Sequence, residues 1–266
     1  MLFTDQLGRT INLPFIPQRI ISVVPSQTEL LSDLGLDQEV LGITKFCVHP
    51  DHWFRRKQRV GGTKQLNLEL IRKLQPDLII ANKEENSKDQ IETLSQEFPV
   101  YISDVNTIAD ALNMIMTIGT ITGKAAEAIK LSKEISECYE KIIPVPKAGT
   151  KVCYLIWKDP YMTVGGDTFI HEQLKQAGLQ NVFGARERYP EICLEELKQM
   201  DCSLLLLSSE PFPFSQKHKE EIRHRYPHLN VILVDGEIFS WYGSRLLKAP
   251  AYLSQLAREI NALSVF

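Results

Sequence analysis

Nowhere in the 266 residues does an apolar run reach the ~18 residues that a spanning helix requires. The stretch Ile115 to Ile121 is interrupted by threonines and a glycine. Charge of one sign is also lacking. Thirty Lys and Arg against 33 Asp and Glu give a net charge of −3, so no overall field points to nucleic acid or an anionic membrane as partner. Cysteine is sparse and odd in number. Cys47, Cys138, Cys153, Cys193 and Cys202 are scattered and form no CxxC pair, which argues against a disulfide framework or a thiolate cage and for small core side chains.

Signals for export and for catalysis are missing too. The opening Met1-Leu2-Phe3-Thr4-Asp5-Gln6-Leu7-Gly8-Arg9 has an acid where a signal peptide starts basic, and no uninterrupted apolar stretch. No export signal is visible, so the reading leans to a reducing compartment or to a chain whose leader was removed. Gly61-Gly62-Thr63-Lys64 lacks the upstream glycine and spacing of a phosphate loop, and Gly165-Gly166-Asp167-Thr168 reads as a turn before a helix cap. With no nucleophile beside a base and no paired acids, the chain is expected not to be an enzyme.

What is present is a globular composition, 44% hydrophobic, with alternating strand and helix patterns. Arg19-Ile20-Ile21-Ser22-Val23-Val24-Pro25 predicts a strand buried on both faces of a parallel sheet. Ser26-Gln27-Thr28-Glu29 has capping-box spacing, Leu30, Leu31 and Leu34 supply a stripe, and Gly35 a stop. Strands are predicted at Val40–Ile43, Leu78–Ala81 and Val100–Ile102, with helices at about 67–75 and 86–97. Helical spacing resumes from Ile108 to Ile118, and Gly119 to Gly123 is expected to break it.

Residues 124–143 then carry apolar positions at helical spacing without glycine or proline, enough for one helix of about 30 Å. The prolines and glycine of 144–149 end it. Strands follow at Val152–Trp157, Leu204–Leu207 and Val231–Val234. Asp167 is expected to cap a helix ending before Gly178, and a last helix runs over about 250–263. Leu68-Glu69 leading into Leu78-Ile79-Ile80 is echoed by Leu194-Glu195 leading into Leu204-Leu205-Leu206. The expected organisation is an N-terminal α/β lobe over 1–123, a connecting helix over 124–143 and a C-terminal α/β lobe over 144–266, with a ligand cleft between lobes.

Three stretches together with the long helix carry a resemblance over about Arg19 to Ala262. They are Arg19-Ile20-Ile21-Ser22-Val23-Val24-Pro25-Ser26-Gln27-Thr28-Glu29, Val60-Gly61-Gly62-Thr63 leading to Asn67-Leu68-Glu69, and Leu74-Gln75-Pro76-Asp77-Leu78-Ile79-Ile80. The chain resembles the helical-backbone (class III) substrate-binding proteins of ABC importers, the family of vitamin B12 and ferric-siderophore receptors. The resemblance implies two Rossmann-like lobes with mainly parallel sheets joined by a single long helix. It implies a monomer that captures a metal chelate, either a ferric siderophore or a cobalamin-like corrinoid, and holds no intrinsic cofactor. It implies a periplasmic or cell-surface address and docking of one glutamate per lobe, here Glu69 and Glu195, onto arginines of ABC permease subunits. Where the vitamin B12 receptor lines its cleft with tryptophans, this chain has Thr63 and Asn82.

Loops after parallel strands carry binding groups in such folds, which makes Phe46, His49, Trp53, Lys64, Trp157, Tyr161, Arg186, Trp241, Tyr242 and Arg245 the candidate ligand contacts. The aromatics could stack on a macrocycle or catechol, or each could fill a gap in a core. The cationic side chains, Lys83 and Arg188 included, could accept an anionic ligand or lie solvated on the surface. His49 is a candidate axial contact to a bound chelate, and Cys47 beside it opens a metal-assisted enzyme as a minor alternative. A cytosolic chelate-binding or sensing protein without a transporter is the main alternative.

Overall fold

The computed structural model describes residues 1–144 and 149–263, and the part of the expected helix stop at residues 145–148 lies outside them. The described chain forms two compact units. Unit 1 holds Met1–Val105, Ala109–Ile135 and Tyr242–Arg245; unit 2 holds Asn106–Ile108, Ser136–Trp241 and Leu246–Phe266.

Unit 1 opens with an antiparallel hairpin, β1 (Leu2–Thr4) and β2 (Thr10–Asn12), which the sequence patterns did not reveal. Next come β3 (Ile20–Ser22), α1 (Pro25–Asp33), β4 (Val40–Ile43), α2 (Asp51–Arg56) and β5 (Gln58–Arg59). They are followed by α3 (Leu68–Leu74), β6 (Leu78–Asn82), α4 (Lys88–Ser95), β7 (Val100–Ser103), α5 (Ile108–Ile121) and α6 (Ala125–Tyr139). The five later strands form one parallel sheet in the order β5-β4-β3-β6-β7. Ile79 and Ala81 of β6 pack with Ile21, Val60, Ile91 and Leu94 on one face, while Leu78 and Ile80 are fully buried. Helices cover both faces of a parallel sheet, so its strands read as continuous apolar runs.

The start of α1 differs from the expected capping box. Val24 is the N-cap and offers no side-chain bond, Pro25 stands in the first turn, and Thr28 Oγ1 donates back to the Val24 carbonyl at 2.9 Å. Proline at that position already supplies a helical φ and lacks an N–H to satisfy, so the helix begins two residues before the box would place it. Its end is as expected: Gly35 at φ +78° closes it through bonds from Gly35 N to Ser32 O and Leu36 N to Leu31 O.

α5 differs too, because it runs through Gly119 to Ile121. The terminating residue is Gly123 at φ +73°, where Gly123 N donates to Thr120 O and Lys124 N to Gly119 O. Gly119 serves close approach instead. A Cβ there would lie 2.2 Å from Ala128 Cβ of α6 and 2.9 Å from the Lys124 carbonyl.

α6 is shorter than the expected 124–143. It buries Ala128, Leu131 and Ile135, and unit 1 passes to unit 2 between Ile135 and Ser136. After Tyr139 the chain tightens into three-residue turns, Lys141 N to Cys138 O and Ile142 N to Tyr139 O. Ile143 N then turns to Ser254 Oγ, and Pro144 disfavours helix in the residue before it. Fifteen residues span about 22 Å.

Unit 2 contains β8 (Thr150–Leu155), α7 (Phe169–Gln176), β9 (Leu179–Asn181), α8 (Glu196–Gln199) and β10 (Leu204–Ser208). It continues with α9 (Gln216–Arg225), β11 (Asn230–Val234), α10 (Gly236–Ser240) and α11 (Ala249–Leu263). Its parallel sheet has the order β11-β10-β8-β9. The two-residue period is explicit: Val152, Tyr154, Leu204 and Leu206 enter one core with α11, while Cys153, Leu155, Leu205 and Leu207 enter the other with Phe183 and Ile222. Thr168, rather than Asp167, caps α7, accepting from His171 N at 3.2 Å, and Asp167 Oδ1 accepts from Arg188 N.

The Gly119 contact yields a test. Replacing Gly119 by Ala should lower unfolding stability by about 1–3 kcal/mol through overpacking. Adding Ala128→Gly should recover part of that loss in a double-mutant cycle. Urea midpoints measure both, and an unchanged midpoint for G119A would show that α6 does not depend on this approach.

Candidate ligand-binding site

Because helices close both faces, the open ends of the parallel strands are where polar and stacking groups can reach a ligand, above all where neighbouring crossovers run in opposite directions. In unit 1 that point lies between β3 and β6, and in unit 2 between β8 and β10.

In unit 1 the point is closed by asparagines. Asn86 Nδ2 donates to Val23 O at 3.0 Å and Thr63 O at 3.1 Å, and its Oδ1 accepts from Asn82 N at 2.8 Å. Asn82 is buried as well. Its Nδ2 donates to the carbonyl and hydroxyl of Ser103, and its Oδ1 accepts from Glu84 N and Glu85 N. Two side chains thus fasten the loops after β3, β5 and β6 and the end of β7. Lys64 Nζ donates to the Glu84 and Asn86 carbonyls, and Lys83 pairs with Asp104.

Beside this rim, on the loop after β4, Phe46 is 51% exposed with Lys45 Nζ 5.1 Å over its ring. A Cβ on Gly62 would stand 3.1 Å from the Phe46 ring, so Gly62 leaves the ring its room. His49 lies half-buried on the same loop. Cys47 between them is fully buried: Thr28 Oγ1 and Thr44 Oγ1 each lie 3.1 Å from its sulfur, and burial pushes its thiol pKa up. The thiolate that a metal would need is therefore disfavoured. Among the described residues no three His, Cys, Asp or Glu side chains group as a metal site requires.

In unit 2 the corresponding point is aromatic. Trp157 follows β8, is 40% exposed, and meets Phe212 of the loop after β10 edge to face with ring centroids 5.7 Å apart. Phe212 N donates to Ile156 O, and Phe212 continues onto Phe214 and His218. Tyr161 is half-buried against the same core. Trp241 ends α10 with its indole N–H on Glu210 Oε1 at 2.9 Å, beside Ser240 Oγ at 2.6 Å. Burial first, then the charges of Glu237 and Asp235, push the Glu210 carboxyl above its ordinary 4.5 despite those two hydrogen bonds. Glu210, Phe214, Asp235 and Glu237 line a hollow of about 500 Å³ in this unit.

Four expected contacts, Trp53, Arg186, Arg245 and Tyr242, are paired or buried within the protein. Trp53 is fully buried in α2, its indole donating to Asp37 Oδ1 at 2.6 Å, with Lys57 Nζ 5.0 Å over its ring, so it offers no face to solvent. Arg186 pairs with Glu196 at 2.6 Å and lies over Phe183. Arg245 is buried on Glu29 in unit 1, next to the buried Tyr242. Asn86, Phe212 and Glu210 escaped the sequence reading. The signal for the last two was Glu210-Pro211-Phe212-Pro213-Phe214 directly after an apolar strand.

Both expected docking acids are exposed. Glu69 stands in the first turn of α3, behind the Asn67 cap that accepts from Leu70 N at 3.0 Å. Glu195 precedes α8 and accepts from Tyr226 OH at 2.6 Å and Arg225 Nη2 at 3.4 Å, and the tyrosine bond chiefly holds its carboxyl below the usual range.

Glu210 gives a pH prediction. A carboxyl whose pKa is raised on folding contributes stability below its unfolded value near 4.5, and that contribution is lost as pH rises through the folded value. Glu210→Gln keeps an acceptor for Ser240 and Trp241 without the charge. Its melting temperature relative to the parent should therefore rise from pH 4.5 towards neutrality, as the parent alone loses this contribution. A difference independent of pH would overturn this assignment.

The chain is similar to known proteins over most of its length. A vitamin B12-binding protein of Pectobacterium atrosepticum is 25% identical over 254 residues, covering 91% of this chain and 89% of that protein. An uncharacterized ABC transporter substrate-binding lipoprotein of Bacillus subtilis is 24% identical over 264 residues, covering 94% and 83%. The periplasmic vitamin B12 binding protein BtuF of Vibrio cholerae superposes with a TM-score of 0.75 at 20% identity, covering 93% of this chain and 99% of that one, a likeness of fold. The profile of the family described as periplasmic binding protein matches residues 20–228, and the chain belongs to that family.

Proposed function

We propose that the chain captures a metal chelate, a ferric siderophore or a cobalamin-like corrinoid, and delivers it to an ABC importer without transforming it. The observation that carries this reading is the exposed Trp157, set edge to face on the half-buried Phe212 at the point of divergence of a parallel sheet, in a chain of the periplasmic binding protein family. A flat ring face at a strand end suits a macrocycle or a catecholate, and Phe46 with Lys45 offers a second such face in unit 1. The description of the Bacillus subtilis relative as an ABC transporter substrate-binding lipoprotein supports delivery to a transporter, and the family's description supports a periplasmic address. In this reading it acts as a monomer. A cytosolic chelate-binding protein is the second reading, favoured by five unpaired cysteines.

A thermal-shift series with cobalamin, cobinamide, haemin and ferrioxamine B tests the ligand class. At a hundredfold excess over Kd, binding to the native state adds about 2.7 kcal/mol, a rise of roughly 5–10 °C for a chain of this size. Trp157→Ala should weaken the ligand that produces the shift by about three- to tenfold through loss of the stacking face. No shift with any of the four would remove the chelate reading.

Delivery is tested separately. Glu69→Ala and Glu195→Ala should leave the melting temperature and ligand affinity close to the parent, because neither belongs to the strand-end groups. Each should weaken binding to the reconstituted permease by about tenfold or more, and the double change should abolish it. Variants that dock like the parent would move the cytosolic reading ahead.

A further inference from the structure

Glu195 is braced by its own unit in a way that Glu69 is not. It is the N-cap of α8, and Leu194 before it and Leu197 after it are buried in one core of unit 2. Ile222 and Leu229 enter the same core, and the ring of Tyr226 packs against it. The backbone of Tyr226 is fixed as well, its N–H donating to Ile222 O at 2.7 Å and its carbonyl accepting from Leu229 N at 3.0 Å. A tyrosine seated in this way turns only its hydroxyl outward, and that hydroxyl donates to Glu195 Oε1 at 2.6 Å. Core packing on both sides therefore sets where donor and carboxylate meet.

The second donor is of another kind. Arg225 Nη2 reaches the same oxygen at 3.4 Å, and its side chain is 74% exposed. A long, solvated ion pair of this sort contributes little and is readily exchanged. Both donors use Oε1, and among the described residues no side-chain donor takes Oε2. The neighbouring acid, Glu196, is engaged by Cys193 N and Arg186, which leaves Glu195 as the more exposed carboxylate of this turn. Glu69 has no comparable brace. The Asn67 cap is taken by Leu70 N, and Arg72, one turn on, forms a two-pronged pair with Glu97.

We infer that Tyr226 is a positioning residue for docking: its hydroxyl holds the Glu195 carboxylate in one orientation, with Oε2 open to a guanidinium of an importer subunit that takes the place of Arg225. The inference rests on the docking reading of Glu195. A carboxylate held beforehand has less rotamer freedom to lose when the partner arrives, so the effect appears in docking affinity. The same bond stabilises the charged form, and it is the chief cause of the lowered carboxyl pKa of Glu195.

The test uses the full chain with Tyr226→Phe, which keeps the seated ring and removes only the hydroxyl, beside Arg225→Gln, Glu195→Ala and the double change Y226F/E195A. Two quantities are measured: docking to the importer's membrane subunits reconstituted in nanodiscs, and the pH titration of the Glu195 carboxyl carbon by NMR. Tyr226→Phe should weaken docking about threefold to tenfold and move the Glu195 midpoint up towards its ordinary 4.5. Arg225→Gln should leave docking within about twofold of the parent. The double change should dock no worse than Glu195→Ala alone, because a hydroxyl that acts through the carboxylate then has nothing to act on. If Glu195→Ala is impaired while Tyr226→Phe docks like the parent, the positioning role is overturned and the docking reading stands. An unmoved Glu195 midpoint in Tyr226→Phe overturns it too, as does a loss with Arg225→Gln equal to that with Tyr226→Phe. A double variant weaker than Glu195→Ala assigns Tyr226 a contact of its own and likewise ends the proposal. Glu195→Ala docking like the parent removes the docking reading itself, and the positioning role with it.

Discussion

A parallel strand hydrogen-bonded on both edges and covered by helices on both faces has no exposed flank left, so whatever it offers to another molecule must be offered at its end. The central strands here meet that condition: Ile20 to Ser22 of β3 and Leu204 to Ser208 of β10 are buried at every position. Burial at this level also forbids unpaired backbone, which is why the loops leaving the strands are tied down by side-chain amides rather than left to water. Asn86 and Asn82 in unit 1 do this with seven hydrogen bonds, Oδ1 contacts included. The rim is thereby stiff before any ligand arrives, and a stiff rim saves the ordering entropy that a floppy loop would spend on binding.

The two units meet the same constraint with different chemistry. Unit 1 closes its point of divergence with amides and carbonyls and sets Phe46 to one side, whereas unit 2 closes it with the Trp157–Phe212–Phe214 stack. An amide network resists apolar ligands because displacing it leaves buried donors unpaired, while an aromatic stack accepts any flat partner. Thr63 and Asn82 belong to the amide rim: Thr63 O receives Asn86, and Asn82 braces β7.

Strand cores and the alternation of units were legible because burial on both faces forces unbroken apolar runs, and helix stops were legible where glycine adopts positive φ, as at Gly35. Legibility failed where one residue type serves two physical ends. Gly119 looked like a breaker, yet its missing side chain admits α6, which no local pattern encodes. Trp53 sits on a helix just past a rim loop and shares its composition, but its indole is claimed by Asp37 from before β4. The hairpin β1–β2 and the two-residue β5 are too short to show a period at all.

Charged residues show the same limit from the other side. Arg245 carried the marks of a ligand contact, with aromatic and glycine neighbours, but what decides its role is an acid 216 positions away, invisible to any local window. A buried guanidinium without a partner would be prohibitively costly, so the partner is a condition of the arginine being there. The glycine two residues before it then has a purpose of its own: with Gly243 at φ +152°, the backbone lies against α1 closely enough for the fork to reach Glu29. The aromatic and glycine neighbours marked the segment in the sequence, while the pair with Glu29, three residues past Tyr242, is what allows the arginine to be buried there.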